Sequence, residues 1–146
     1  MDVDLLQQQL IAHIQALQRE GFVDDYLQMC YGLKETSGLT FFLELIATFH
    51  TDSAAAIDDM TVTMECPILD YDKMQGLAIS LKGSSACIGA CRISASCSEL
   101  LQAATKRSKT DCKRAVEMIS REKSAWEVKL ETIMQLERKI VDRQMQ

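Results

Sequence analysis

A single proline, Pro67, and six glycines are all that break backbone regularity in 146 residues. Most interruptions must therefore fall to short polar turns, and long helices are the natural reading. No run approaches the ~20 uninterrupted apolar residues of a membrane-spanning helix. The opening MDVDLLQQQL also lacks the basic start and apolar run of a secretory signal. The chain is expected to act inside the cell, without membrane contact. Basic charge is short too: 16 Lys and Arg against 21 Asp and Glu leave a net charge of −5. That balance argues against nucleic-acid binding, which needs a basic surface to release counterions, so partners are expected to be proteins.

What is present suits one soluble domain spanning 1–146. Apolar residues make up 47% and charged residues 25%, an ordinary globular balance. A chain of this length can bury roughly 70% of its unfolded surface, so it should fold alone. It needs no disulfide staples, and the six cysteines (Cys30, Cys66, Cys87, Cys91, Cys97 and Cys112) read as reduced thiols in or near the core. A zinc site is the sharper alternative, because Cys87, Cys91 and Cys97 are closely spaced. No CxxC pair or nearby histidine completes a ligand set, however, so neither metal nor cofactor is expected.

Helical periodicity marks six helices. Val3, Leu6, Leu10, Ile14 and Leu17 give the first, stopped at Gly21. Tyr26, Leu27, Cys30 and Leu33 give a shorter second, ended by Thr36-Ser37-Gly38, which also supplies a cap for the third helix. Phe42, Ile46, Phe49, Ile57, Met60 and Met64 stripe that long third helix, closed by Pro67. Asp70 can cap a fourth, with Met74, Leu77, Ala78, Leu81 and Ile88 inward; Ile93, Cys97, Leu100, Leu101 and Ala104 mark the fifth. After a turn at 106–110, Cys112, Val116, Ile119, Trp126, Leu130, Ile133 and Ile140 define the sixth. No strand signal competes. The class is all-α: an up-down four-helix bundle of the last four helices, with two additional N-terminal helices.

The fourth helix holds the informative surface. At ~100° per residue, Met74, Ala78, Leu81, Ser85 and Ile88 cluster on one side. Ile79 points away from them, beside Gln75, Lys82, Gly83 and Ala86, and should be exposed. A glycine one turn after it would let a partner approach closely, and Lys82 could face an anionic pocket. The plainer reading is an isoleucine on the bundle's shoulder and a tolerated helix glycine, costing about 1 kcal/mol relative to Ala.

The stretch Tyr71 to Ser94 contains Leu81-Lys82-Gly83-Ser84-Ser85, then Ile88-Gly89-Ala90 and Arg92-Ile93. It resembles the phosphoacceptor segment of plant histidine-containing phosphotransfer proteins, in which a His precedes Leu-Lys-Gly-Ser-Ser by two positions and Gly-Ala follows shortly after. The likeness extends to Phe22-Val23-Asp24-Asp25 through Leu33, the Glu35-Thr36-Ser37 turn, the aromatic start of the third helix and Leu136 to Ile140. Where that family carries its phosphorylated histidine, this chain reads Ala78-Ile79-Ser80.

The resemblance implies a non-enzymatic, monomeric pseudo-phosphotransfer protein of the multistep two-component phosphorelay. It would bind receiver domains of sensor histidine kinases and response regulators without accepting phosphate, act as a competitive negative regulator of cytokinin-type signalling, and work in cytoplasm and nucleus. The docking residues expected are Gln75, Ile79, Lys82, Gly83 and Ala86. Met29, Phe41 and Leu45 join them because hydrophobic residues on the second and third helices contact the receiver in that family, although core packing explains each equally well. Two alternatives stand beside this one: a carrier relaying phosphate through His50 or His13, and a scaffold that has lost receiver binding.

Overall fold

The structure is a computed structural model describing residues 2–146. Its described residues form helices joined by short turns: α1 (Val3–Arg19), α2 (Tyr26–Gly32), α3 (Lys34–Ser37), α4 (Phe41–Glu65), α5 (Tyr71–Ile88), α6 (Cys91–Thr105) and α7 (Lys109–Gln144). The sequence predicts six helices, and the difference is a break at Leu33 that divides the second into α2 and the single turn α3. Helices α4 to α7 close a ring in which each packs on the next and α7 returns to α4. At 36 residues, α7 is long enough to serve this ring and to carry α1 on another face.

Local chemistry sets the ends. The carboxylates of Asp2 and Asp70 and the hydroxyl of Ser108 accept from backbone N–H groups in the first turns of α1, α5 and α7, satisfying donors the helix cannot. Cys66 is extended (φ −66°, ψ 141°), as a residue before proline is pushed to be, so Pro67 does end α4. The expected cap from Thr36-Ser37-Gly38 is not made: Gly38 turns the chain at φ 120°, and α4 starts after Thr40 without a side-chain cap.

The core follows the stripes on α1, α5 and α7: Leu6, Leu10, Ile14 and Leu17, then Met74, Ala78, Leu81, Ser85 and Ile88, then Cys112 through Ile140. On α4 the stripe passes through Ser53 and Thr63, with Ile57 and Met64 only half-buried. These hydroxyls donate to the Phe49 and Asp59 carbonyls four residues back, at 2.6 and 2.7 Å, which is how a helix hides a small polar side chain.

The second helix departs most from expectation. Leu27, Tyr31 and Lys34 face inward, while Tyr26 and Leu33 stand about half exposed at 51% and 49%. The cause lies on α7. Glu137 is wholly buried and accepts from the Tyr31 hydroxyl at 3.1 Å and from the Lys34 ammonium at 3.1 and 3.0 Å. Burial pushes the Glu137 carboxyl above its ordinary range, and the Lys34 and Tyr31 donors oppose that rise. Three hydrogen bonds from two side chains to one carboxylate turn α2 and α3 so that Leu33 faces water.

Candidate functional site

Helix α5 owes its place to its two ends. The Asp70 carboxylate accepts from Lys73 N–H at 3.0 Å at the start, and Gly89 ends the helix in the left-handed region at φ 83°. A Cβ on Gly89 would lie 2.6 Å from the Leu27 nitrogen and 2.9 Å from Asp24 Oδ1, so both the conformation and the close approach of α2 require glycine. The backbone N–H of Asp24 donates to the Gly89 carbonyl at 3.1 Å, which seats α2 beside the end of α5.

With Met74, Ala78, Leu81, Ser85 and Ile88 buried, the opposite face of α5 looks outward. Ile79 is 57% exposed at its centre. Lys82, Gly83 and Ala86 are exposed around it, and Gln75 is half-buried. A side chain added at Gly83 would meet nothing within 4 Å, so this part of the ridge is open to a partner. Among the described residues no salt bridge engages Lys82, whereas Gln75 Nε2 donates to Thr105 Oγ1 of α6 at 3.1 Å. Of the ridge residues read from the sequence, Gln75 is therefore the least available.

The other three positions are dispersed along the α2 and α4 side. Met29 is 59% exposed on α2. Leu45, half-buried on α4, lines a shallow and mostly apolar groove with Cys30 of α2 and Ser84 and Cys87 of α5. Phe41 is half-buried at the start of α4, one turn before Leu45, and is not among the residues of that groove. Sequence reasoning missed Cys30, Ser84 and Cys87 as parts of this surface. The available signal was helical phase, since Cys87 follows Gly83 by one turn. Cys66 and Cys87 are exposed, against the expectation of core or half-buried thiols for all six; Cys97 and Cys112 are buried and Cys30 and Cys91 intermediate. No group of three His, Cys, Asp or Glu side chains among the described residues is placed to hold a metal ion.

The ridge offers little nucleophilic chemistry. Ser85 is buried and its hydroxyl donates to the Leu81 carbonyl, as its phase on the helix predicts; Ser84 donates to the same carbonyl at 3.2 Å. The histidines lie elsewhere. His13 is exposed on α1. His50 sits half-buried in the seam between α4 and α7, where Trp126 Nε1–H donates to its Nε2 at 3.1 Å. An indole nitrogen can only donate, so Nε2 must be the unprotonated acceptor and its lone pair is engaged. Burial lowers the His50 pKa from its ordinary 6.5; Lys123 adds to that shift, while Glu127 and Glu131 oppose it.

No protein-family model matches the chain. It is homologous to plant histidine-containing phosphotransfer proteins. It is 28% identical over 136 residues to histidine-containing phosphotransfer protein 2 of Oryza sativa subsp. japonica, covering 92% of this chain and 91% of that one. It is 27% identical over 140 residues to pseudo histidine-containing phosphotransfer protein 2 of the same rice, covering 96% and 93%. The fold is shared with solved structures: a rice histidine-containing phosphotransfer protein superposes with a TM-score of 0.86 at 28% identity, covering 94% of this chain and 97% of that one. A maize protein of the same description gives 0.84 at 29% identity, covering 92% and 99%.

Proposed function

We propose that this chain is a pseudo-phosphotransfer protein, one that docks receiver domains of sensor histidine kinases and response regulators but accepts no phosphate from them. Relatives named as carriers and a relative named as a pseudo-carrier are similar to it at nearly the same level, so similarity does not choose between the roles. Residue 79 does. The observation that carries the reading is a 57%-exposed isoleucine on an open ridge, one turn before a glycine whose missing side chain leaves room for a partner.

Relay through histidine needs a neutral imidazole nitrogen to attack the aspartyl phosphate, and it yields a phosphoramidate labile enough to pass the group on. Ile79 has no lone pair. The serines are poor substitutes, since a hydroxyl needs an activating base, and those of Ser84 and Ser85 are already donated to helix carbonyls. In this reading Lys82 would meet the acidic pocket of a receiver, and Ile79, Met29 and Leu45 would supply apolar area. Adaptable methionine and aliphatic side chains suit such a contact.

A binder of this kind lowers phosphate flux by mass action, when its concentration is comparable to its own Kd and to that of active carriers. The same reading makes it a monomeric module over 1–146 and a competitive negative regulator of cytokinin-type signalling in cytoplasm and nucleus. Its test is a pair of measurements on the wild-type chain and on Ile79→His. Wild type should bind a receiver domain in titration yet take up no acid-labile phosphate from the phosphorylated receiver. Ile79→His should gain that label, with stability changed by no more than ~0.5 kcal/mol, as at exposed sites generally. Label on wild-type His50 or His13 would restore the carrier alternative, and absence of receiver binding would leave only a scaffold.

A further inference from the structure

Two cysteines meet beside this ridge, the thiol of one against the backbone of the other. The Cys30 Sγ–H of α2 donates to the backbone carbonyl of Cys87 on α5 at 3.3 Å, and both residues line the groove that also holds Leu45 and Ser84. The other cysteines are otherwise engaged. Cys97 and Cys112 are buried, the Cys91 thiol lies 3.5 Å from the Gly21 carbonyl, and Cys66 donates to Val62 within its own helix at 3.6 Å. As a helix-end cap alone the Cys30 contact gives little. A thiol is a weak donor, and Cys87 is exposed, so water can serve its carbonyl.

We propose that Cys30 and Cys87 are an oxidation site, joined by a peroxide into a disulfide that ties α2 to α5 across the groove. Cys87, the exposed partner, reacts first. Its thiolate sulfur attacks a peroxide oxygen, the O–O bond breaks, and a sulfenic acid forms with release of hydroxide. The Cys30 thiolate then attacks the Cys87 sulfur, the S–O bond breaks, and a second hydroxide leaves. The two thiol protons convert both hydroxides to water, so two thiols and one hydrogen peroxide become one disulfide and two waters, the two sulfurs supplying two electrons. Burial raises the pKa of Cys30 above its ordinary 9.0, so Cys30 is not the thiol that meets oxidant first. Helix α2 has only seven residues and is bounded by the turn at 20–25 and the break at Leu33. It is the shorter of the two helices, and so the one that would adjust to meet disulfide geometry.

The consequence for binding rests on the receiver-docking reading. A covalent tie at Cys30 draws α2, with Met29 next in sequence, over the groove beside Leu45. The oxidised chain should then bind a receiver more weakly, by about five-fold or more, the lower range of couplings between linked sites.

The test uses the full chain, treated with hydrogen peroxide, digested without reductant and mapped by tandem mass spectrometry. Because Cys87 and Cys91 fall in one tryptic peptide (83–92), Cys91→Ser is run beside Cys30→Ser and Cys87→Ser. The linkage between Cys30 and Cys87 should form in wild type and in Cys91→Ser, and in neither of the other two, with helical circular dichroism retained. Oxidation that yields only sulfinic acids, bonds between chains or a bond to Cys91 overturns the site. Receiver titration with and without dithiothreitol reads the second claim: unchanged affinity of the oxidised chain overturns the effect on docking. If the reduced chain binds no receiver, it is the docking reading that fails, and the disulfide map stands or falls by itself.

Discussion

Two regions of this bundle invert the usual rule of apolar inside and polar outside, and they resolve the inversion differently. Beneath α2 and α3, Lys34 and Glu137 bury a charged pair at 7% and 0% side-chain exposure. On α5 an isoleucine stands in water at 57%. The buried pair is resolved within the chain, because Tyr31 and Lys34 together give the carboxylate three hydrogen bonds. The exposed isoleucine has no such internal answer. Neither a core position nor a turn requires hydrocarbon there, and the next turn carries a glycine with open space above it. A polar group hidden and satisfied serves the fold, and the docking we propose gives the apolar group displayed on an open ridge its counterpart in a partner.

Mutations in each region sharpen that contrast. The largest effect belongs to Lys34→Ala, which leaves Glu137 buried without its cation and should cost about 3–5 kcal/mol in urea unfolding, the range for breaking one partner of a buried pair. A loss no greater than that of a surface substitution would mean water reaches Glu137 readily. On the ridge the order reverses, with binding affected and folding spared. Gly83→Leu introduces a side chain into empty space and removes a helix glycine, so thermal stability should hold or rise, by up to about 1 kcal/mol. Receiver affinity should fall about ten-fold, or ~1.4 kcal/mol, in calorimetric titration. Undiminished affinity would move the docking surface away from α5.

The same contrast explains what could be read from the residues in order. The inward faces of α5 and α7 were legible, because Met74, Ala78, Leu81, Ser85 and Ile88, and likewise Cys112 to Ile140, keep helical phase with mostly apolar side chains. The all-α class and the four-helix ring follow from those stripes and from connections too short for anything but antiparallel neighbours. The face of α2 was not legible. Tyr26 and Leu33 look like core and Lys34 like surface until Glu137, over a hundred positions away, is known to lie beneath. Ser53 and Thr63 escaped for a related reason, since a hydroxyl bonded to its own helix is polar in the sequence and mute in the fold. At the site, Ile79, Lys82, Gly83 and Ala86 share a face because one helix carries them. Helical phase puts Cys87 one turn after Gly83, but the groove it shares with Cys30 and Leu45 needs three helices brought together, and no local period announces that.

The smallest effect concerns the histidine seam between α4 and α7, the counterpart of the ridge: an imidazole held by protein where the ridge shows hydrocarbon to solvent. Burial lowers the His50 pKa below 6.5 in the folded chain, and Trp126 donates to the nitrogen that would take the proton. Above about pH 6.5 the ring is neutral whether the chain is folded or not, and stability does not depend on it. As pH falls below that value, the unfolded chain binds the proton first, so stability declines down through the folded pKa. Protonated His50 would also face the indole N–H with a second donor. His50→Gln keeps an acceptor for Trp126 without a titrating group. The fall in melting temperature from about pH 7 to pH 5 should therefore be smaller in His50→Gln than in wild type. Equal falls would show that His50 takes up its proton as freely as an exposed imidazole, and a histidine so accessible would again compete with the ridge as a place to accept phosphate.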